Sequence, residues 1–290
     1  DFIALLSDGK KSVLELDKNG YLISHNIFDK QKRVASICPF NYSSIAKHCG
    51  ENKIGLTLLE NGDMLLFKNY NLVFAKRRGI WNSYSHSELV EILSNKSAHA
   101  IKELRRAIYI SALDVSFSGQ GGCIAYLNKD CAKNVLNLID IDDILSEEYY
   151  NLKLQNEKEE SEKLYGILEN KNAAPITNVS FENYINNKNC VKTSALKAII
   201  GDKKFHQLHR KLREELISID GATIVDFDGT IIAAGAIVKI DAGSTGGGRL
   251  AAAKTLSRFG VSLKISQDGI IQGFVFDKRQ NLPKPIFTIG

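Results

Sequence analysis

A glycine-rich loop that leads directly into a helix-forming segment constrains this 290-residue chain more than any other feature. The loop begins at Gly243, and the sequence predicts a helix over Arg249–Phe259. Amide groups at the start of a helix have no partner within the helix, so together with hydroxyl groups and a guanidinium they favour phosphate binding. The residues expected to hold a phosphorylated ligand are Ser244, Thr245, Gly246, Gly247, Gly248 and Arg249.

An acidic turn, Asp220-Gly221-Ala222, lies upstream of this loop. A carboxylate at the end of a strand offers the oxygen ligand that Mg²⁺ or Mn²⁺ prefers, and these ions accompany nucleoside triphosphates. We expect Asp220 to bind the metal ion and Gly221 to permit close approach of a nucleotide. Ala222 is expected to begin a packed strand.

Composition and charge favour a globular protein that binds small phosphorylated molecules. Hydrophobic residues make up 44% of the chain and charged residues 24%, with a net charge of +5. That charge is too diffuse to indicate nucleic acid, and no apolar run is long enough for a membrane span. The five cysteines are scattered without a Cys-x-x-Cys pair, which favours reduced thiols in the cytoplasm over disulfides or a zinc site.

Residues 1–84 have the pattern of a small β-rich domain, which we interpret as a sensor or regulatory unit. Ile54–Leu59 and Met64–Phe67 flank an Asn-Gly-Asp turn and predict a hairpin, and Leu72–Lys76 predicts a further strand. Beyond it, Arg77, Arg78 and Trp81 form either a contact surface or a basic strand end beside a buried indole; the second interpretation is favoured.

Residues 85–290 have the pattern of an α/β domain. A helix is expected to begin near Ser85 or Ser87, and a second helix is predicted over Ala98–Ser116. A glycine turn and the buried strand Cys123–Leu127 follow. Helix, turn and buried strand in this order predict a mixed sheet flanked by helices.

The segment 128–190 is interpreted as an insertion. Its acidic stretch over 140–148 is expected to be a solvated helix start rather than a cation site, because it lacks the glycine and spacing of a calcium loop. Tyr150–Glu169 predicts an exposed helix or a mobile insertion, and Asn170–Asn189 predicts a loop. Further on, His206 and His209 are expected on one solvated face of a basic helix.

The sheet is expected to continue to the C-terminal region. Ala222–Asp226 and Thr230–Ile240 predict a hairpin, and Val261–Ser266 and Ile270–Phe276 predict two more strands.

At these residues the region of about Ala98–Phe276 resembles the diadenylate cyclase domain, of the DNA-integrity-scanning type. The signature Asp-Gly-Ala is present at positions 220–222. The second signature, Gly-Thr-Arg-His-Arg-Ala-Ala, aligns with Gly247-Gly-Arg-Leu-Ala-Ala-Ala253, so Arg249 is retained while Leu250 and Ala251 replace histidine and arginine. The Ser-Glu-Glu that follows a strand in the family reads Ser266-Gln267-Asp268 here.

The resemblance implies a mixed sheet flanked by helices and a metal-dependent nucleotidyltransferase. Family members join two ATP molecules into cyclic di-AMP and release pyrophosphate twice, with two subunits face to face. On this basis Asp220 and Arg249 are the expected catalytic residues, and Ser266 joins the nucleotide site.

Two alternatives remain open from the sequence. Replacement of the histidine and arginine favours a catalytically silent module that senses ATP or a dinucleotide, whereas the retained Asp220 favours an enzyme. A weaker alternative is an enzyme of the same fold that uses another nucleotide.

Overall fold

A computed structural model describes residues 7, 10–28, 35–94, 100–168, 181, 191–240 and 246–290. Its strands are β1 (Ser12–Leu16), β2 (Leu22–Ile27), β3 (Ile54–Leu58), β4 (Met64–Lys68), β5 (Asn71–Arg77), β6 (Ile80–Ser83), β7 (Gly122–Leu127), β8 (Ala222–Val225), β9 (Ile231–Ala236), β10 (Gly260–Ile265), β11 (Ile271–Asp277) and β12 (Leu282–Ile289). Its α-helices are α1 (Ser43–His48), α2 (His86–Ile92), α3 (Lys102–Phe117), α4 (Ala132–Leu136), α5 (Glu147–Leu168), α6 (Val191–Ile200), α7 (Arg210–Ser218) and α8 (Gly248–Leu256). The chain therefore has the mixed helix-and-sheet class that the sequence predicts.

The N-terminal region contains the antiparallel hairpin β1–β2 and a four-stranded antiparallel sheet in the order β3-β4-β5-β6. The predicted hairpin β3–β4 and strand β5 are confirmed. Gly62 has a φ of +83° in the β3–β4 turn, a conformation that favours glycine. The side chain of Asn61 accepts a hydrogen bond from the amide of Asp63 at 3.1 Å, which closes the turn.

Strand β6 is not predicted by the sequence, and the expected burial of Trp81 is wrong. Trp81 pairs with Lys76 across β5 and β6 and is 52% exposed. Side chains alternate between the two faces of a strand, and this register places the indole on the outer face of the sheet.

The C-terminal region contains a six-stranded mixed sheet in the order β12-β11-β10-β7-β8-β9, here named the central sheet. Strands β7 and β8 are parallel, and the other neighbours are antiparallel. The predicted hairpin is confirmed as β8–β9, although β9 ends at Ala236 rather than Ile240. The edge strand β12 contains Pro283 and Pro285. Proline has no backbone N–H, but an edge strand tolerates it because one side of the strand makes no backbone hydrogen bonds to a neighbour. These prolines also make the segment look unlike a strand in the sequence.

Strand β7 separates two hydrophobic cores because its side chains alternate. Ile124 and Tyr126 pack in a first core with α3 and α7, whereas Cys123, Ala125 and Leu127 pack in a second core with α4, α5 and α8. All five side chains are fully buried. A strand that buries both faces reads as a continuous apolar run, as seen over 123–127.

The inner face of the N-terminal sheet belongs to the first core. Leu65, Phe67 and Leu72 are fully buried there in the same cluster as Leu104 and Ile108 of α3. Helix α3 is therefore covered by the N-terminal sheet on one side and by the central sheet on the other. This packing brings the end of β5 close to the central sheet.

Two helix predictions need correction. His206 lies in a single 3-10 turn, Phe205–Gln207, and His209 is the N-cap of α7, so the two histidines do not share a helix face. Helix α3 begins at Lys102 rather than Ala98, with Ile101 in an extended N-cap conformation.

The acidic stretch over 140–148 is a 3-10 turn, Ile141–Asp143, followed by the start of α5. Helix α5 is packed rather than exposed at its start, since Tyr149, Tyr150 and Lys153 are buried. The predicted loop over 170–189 lies outside the described residues except for Phe181, which is buried and packs against Tyr150 with ring centroids 5.2 Å apart.

Among the described residues, no helix combines the length and apolar character that crossing a membrane requires. The thiols of Cys38, Cys49, Cys123 and Cys131 are free. Cys190 lies outside the described residues.

The contact between the N-terminal sheet and α3 gives stability a pH dependence through His86. Its Nε2–H donates to the carbonyl of Leu72 at 2.5 Å, and its Nδ1 accepts from the hydroxyl of Tyr109 at 2.8 Å. Burial lowers the pKa of His86 from 6.5 to about 4. Between pH 6.5 and 4, His86 is therefore protonated in the unfolded chain and neutral in the folded chain. The free energy of unfolding consequently falls as the pH falls through this range.

We expect His86→Gln to flatten this part of the stability profile, which spans on the order of 2 kcal/mol. Urea unfolding at several pH values from 4 to 7 measures it. His25→Gln, at an exposed position on β2, is the control and should leave the profile unchanged. An equal slope in His86→Gln and the native chain would contradict this assignment.

Candidate functional site

The candidate site lies where the ends of four strands meet at one edge of the central sheet. Strands β7 and β8 are parallel neighbours, so Gly121 and Gly221, which precede them, lie at the same edge. Strand β10 runs antiparallel to β7 and pairs Ile265 with Gly122, so the turn after β10 also lies there. Antiparallel pairing of Ala236 with Ala222 brings the end of β9 to the same place.

The turn at Asp220 depends on a direct approach of two backbones. Gly221 has a φ of +106°, and a Cβ built on it would lie 2.6 Å from the carbonyl carbon of Gly235. Gly235 also has positive φ, at +63°, and a Cβ there would lie 2.4 Å from the side chain of Ile219. Asp220 is therefore held at the sheet edge, while its own side chain is 94% exposed.

The glycine-rich loop ends in a helix start without a side-chain cap. Gly247 is the N-cap residue of α8 with a φ of +91°, and Gly246 has a φ of +114°. The first turn of α8 carries no acidic side chain. The free amides and the positive end of the helix dipole therefore favour an anion at this end.

Arg249 lies between this helix start and the Asp220 turn. Its Nη2 is 3.8 Å from Oδ1 of Asp220, which is an electrostatic contact rather than a hydrogen bond. The Arg249 side chain is 30% exposed, and its Nε is buried without a hydrogen-bond partner among the described residues. A guanidinium held in this way retains donors for a ligand anion.

Gly121 makes room for the guanidinium of Arg249. A Cβ on Gly121 would lie 2.4 Å from Nη1 of Arg249 and 3.3 Å from Cγ of Gln267. Arg249, Gly121 and Gln267 are therefore in mutual proximity. From the sequence, Gly119-Gln-Gly-Gly122 indicates only a turn. The glycines are compatible with close packing, but they do not identify Arg249 as the side chain that packs there.

The structure brings together only part of the predicted site. Asp220, Gly221, Arg249 and the amides at the start of α8 are neighbours, whereas Ser244 and Thr245 lie outside the described residues. Ala222 begins β8 and is fully buried. The hydroxyl of Ser266 accepts a hydrogen bond from Lys264, and the turn that begins at Ser266 contains Gln267 beside Gly121.

Lys192 at the start of α6 is a second cation close to the Asp220 turn that the sequence does not reveal. Its Nζ donates to the carbonyl of Gly235 at 2.8 Å and to Asp143 at 2.5 Å. A Cβ on Gly235 would lie 3.0 Å from the carbonyl oxygen of Asp220 and 3.4 Å from this Nζ. Because both bonds engage protein acceptors, Lys192 supports the turn rather than offering a free charge.

The side chains of Leu250 and Ala251 are apolar and offer no phosphate contact. Ala251 is buried, with 8% exposure, and the partly buried Leu250 packs against the second core. A Cβ on Gly246 would lie 2.8 Å from Cδ2 of Leu250. Arg249 is therefore the cationic side chain in the first turn of α8.

Cys123 lies behind Arg249 and is not suited to nucleophilic chemistry. It is fully buried, and burial raises the pKa of its thiol to about 12 although Arg249 acts in the opposite direction. The reactive form of cysteine is the thiolate, so this side chain stays protonated and inert at neutral pH.

The donor set fits a metal ion that arrives with its ligand. Among the described residues, no group of three or more His, Cys, Asp or Glu side chains is placed to hold a metal ion. Within the part of the chain that the structure describes, Asp220 offers an exposed carboxylate at the site. One carboxylate together with phosphate oxygens and water is a usual environment for Mg²⁺, so the site suits a metal–nucleotide complex rather than a resident ion.

A separate cavity of about 250 Å³ lies between the start of α5, the end of α6 and the start of β9. Two of its lysines are already paired: Lys197 with Asp202 at 3.1 Å and Lys204 with Asp228 at 2.5 Å. The third lysine of the lining, Lys203, is exposed.

The approach of Gly221 to Gly235 predicts a large cost for any side chain at position 221. Gly221→Ala should destabilise the protein by several kcal/mol, because it adds a backbone clash to the cost of positive φ, which is ~1–2 kcal/mol. Gly20→Ala is the matched control, since Gly20 has a φ of +88° but open space around it. Urea unfolding measures both, and equal losses would contradict the assigned backbone contact.

Comparisons with known proteins do not identify a family for this chain. No family model matches it. No curated protein matches it either.

Proposed function

We propose that the chain binds ATP with Mg²⁺ or Mn²⁺ at the start of α8 and joins two ATP molecules into cyclic di-AMP. The observation that carries the proposal is the placement of Arg249 beside Asp220 at an uncapped helix start. A positive helix end with a guanidinium suits a triphosphate, and the exposed carboxylate suits the accompanying metal ion. The fold proposed with this function is the diadenylate cyclase-like arrangement that the sequence resembles.

Each residue has a defined task in the proposed reaction. The amides of α8 and the guanidinium of Arg249 bind phosphate oxygens, and Asp220 holds the metal ion. When bound, the metal ion neutralises charge on the phosphates. Gly221 and Gly121 lack side chains, which lets the ligand and Arg249 approach the backbone closely. These contributions are positioning and electrostatic stabilisation, the main requirements of phosphoryl chemistry.

The reaction requires two sites that face each other. The 3′-hydroxyl oxygen of one ATP forms a bond to the α-phosphorus of the other, the bond to pyrophosphate breaks, and the hydroxyl proton passes to solvent. A second transfer of the same kind closes the ring. Since one chain offers one such site, a face-to-face homodimer is part of the proposal. The exposure of Asp220 supports it, because the carboxylate is open to a second subunit.

A catalytically silent ATP or dinucleotide sensor is the second candidate. The observation that favours it is the apolar packing of the partly buried Leu250 and the buried Ala251, at the positions where the resembled family carries histidine and arginine. With fewer cations at the phosphates, the site retains binding while losing stabilisation of a transition state.

Asp220→Asn separates the two candidates. It removes the metal-binding charge without changing shape, and an exposed side chain should tolerate it. We expect purified protein with ATP and Mg²⁺ or Mn²⁺ to form cyclic di-AMP, identified by mass, and the variant to form none. Saturable ATP binding without product would instead support the sensor. Neither binding nor product would contradict both.

Arg249→Ala tests the phosphate contact itself. A charge-assisted hydrogen bond contributes roughly 1.5–3 kcal/mol, so the Kd for ATP should rise about tenfold to a hundredfold, as measured by calorimetry. Lys254→Ala removes an equal charge from an exposed position on the same helix and serves as the control. Equal effects of the two substitutions would show a general charge effect rather than a specific contact.

A further inference from the structure

Arg77, at the end of β5, connects the N-terminal sheet to the end of α3 and to the six-stranded sheet. Its Nη1 donates to the hydroxyl of Ser116 at 2.7 Å and to the carbonyl of Gly269 at 3.2 Å, and its Nη2 donates to the carbonyl of Ser116 at 3.1 Å. Its guanidinium also lies over the ring of Phe117, 4.4 Å from the centroid. Only 11% of the Arg77 side chain is exposed. The arginine therefore joins β5, the end of α3 and the turn after β10.

The charge of Arg77 is balanced within the N-terminal sheet. Asp63 lies 3.6 Å from its Nε and is itself 9% exposed in its side chain. The other carboxylate oxygen of Asp63 accepts the backbone amide of Arg78 at 3.1 Å. Removing one partner of such a buried pair leaves a charge without compensation, so the contact has a strongly preferred geometry.

The turn that Arg77 holds is the one after β10. Within this turn, the amide of Gly269 donates a hydrogen bond to the carbonyl of Ser266 at 2.9 Å. The amide of Ser266 donates one to the carbonyl of Ile270, also at 2.9 Å. Gly269 has a φ of +89°, and a Cβ on it would lie 2.1 Å from Nη2 of Arg77. Ser116 also donates to the carbonyl of Gly269 at 2.5 Å. The arginine thus packs directly on the backbone of the turn.

A second arginine holds the same turn from outside. Arg78 has a φ of +50°, and its Nη1 lies 3.2 Å from Oδ2 of Asp268. The Arg78 side chain is 65% exposed, so this pair is the weaker of the two connections.

The turn reaches the candidate ligand site through Gln267. Its Cγ and Nη1 of Arg249 both lie against Gly121, at 3.3 Å and 2.4 Å from the position of a Cβ on that glycine. A series of neighbouring residues therefore leads from Asp63 through Arg77 and Gly269 to Gln267, and from there across Gly121 to Arg249. Rigid packing of this kind transmits a displacement rather than absorbing it.

We propose that Arg77 is a positioning residue through which the N-terminal sheet sets the affinity of the Arg249 site. This proposal rests on the ligand site described under the proposed function. With β5 in place, the turn after β10 supports Gln267 and keeps the guanidinium of Arg249 over Gly121, next to Asp220. A partner or ligand that shifts the N-terminal sheet moves this turn and lowers the affinity for phosphate. The sheet thereby acts as a regulatory unit for the site.

The test compares variants of the full chain by ATP affinity and by amide hydrogen exchange. Arg77→Gln should weaken ATP binding at least fivefold and speed exchange both in the turn 266–270 and over 246–250 at the start of α8. Arg78→Gln should weaken ATP binding and speed exchange in the same two segments, but to a smaller extent. Arg279→Gln, on an exposed turn, controls for loss of an arginine charge, and Leu65→Val, in the core of the N-terminal sheet, controls for loss of stability.

The outcomes separate regulation from a purely structural role. Faster exchange confined to 266–270, with unchanged ATP affinity and unchanged exchange over 246–250, overturns the proposal. An effect of Leu65→Val equal to that of Arg77→Gln also overturns it, since stability alone would then explain the change. If the native chain binds no ATP with either metal ion, the proposed function is wrong, but the link between Arg77 and the start of α8 can still be tested. Faster exchange over 246–250 in Arg77→Gln would then support the link, and unchanged exchange would contradict it.

Discussion

The close approach of Gly221 to Gly235 is the constraint on which the candidate site depends. The turn before β8 and the end of β9 come so near that a Cβ on either glycine would meet atoms of the other segment. The approach leaves Asp220 projecting from a rigid edge and orients the carbonyl of Gly235 toward Lys192. A carboxylate on a rigid support loses little entropy on binding, which favours a precise role in ligand contact.

Sheet topology explains why residues far apart in sequence converge at this edge. The parallel pair β7–β8 places Gly121 and Asp220 side by side, and the antiparallel partner β10 adds the turn with Gln267. Helix α8 packs on the second core and directs its first turn to the same place. The site is therefore assembled by strand order, and each contributing segment is short.

Sequence patterns predicted most of the described strands. They also singled out Asp220, Gly221 and Arg249, which the structure brings together. The hairpins β3–β4 and β8–β9 were predictable because turn glycines and alternating apolar residues are local signals. Strand β12 was not, since its prolines conceal an edge strand that forms only against β11. Trp81 was placed wrongly because burial of an aromatic residue depends on which face of the sheet is covered. The role of Arg77 was also beyond prediction, because its partners are distant in sequence.

The sequence by itself determined the local conformations: the positive-φ glycines, the start of α8 after a glycine run, and the two-sided apolar strand β7. These follow from steric and hydrophobic rules that act over a few residues. Only the tertiary structure decided that Arg249 rests on Gly121 beside Asp220, and that the N-terminal sheet reaches the same site through Arg77. Those contacts depend on strand order and on packing across α3, which no local pattern encodes.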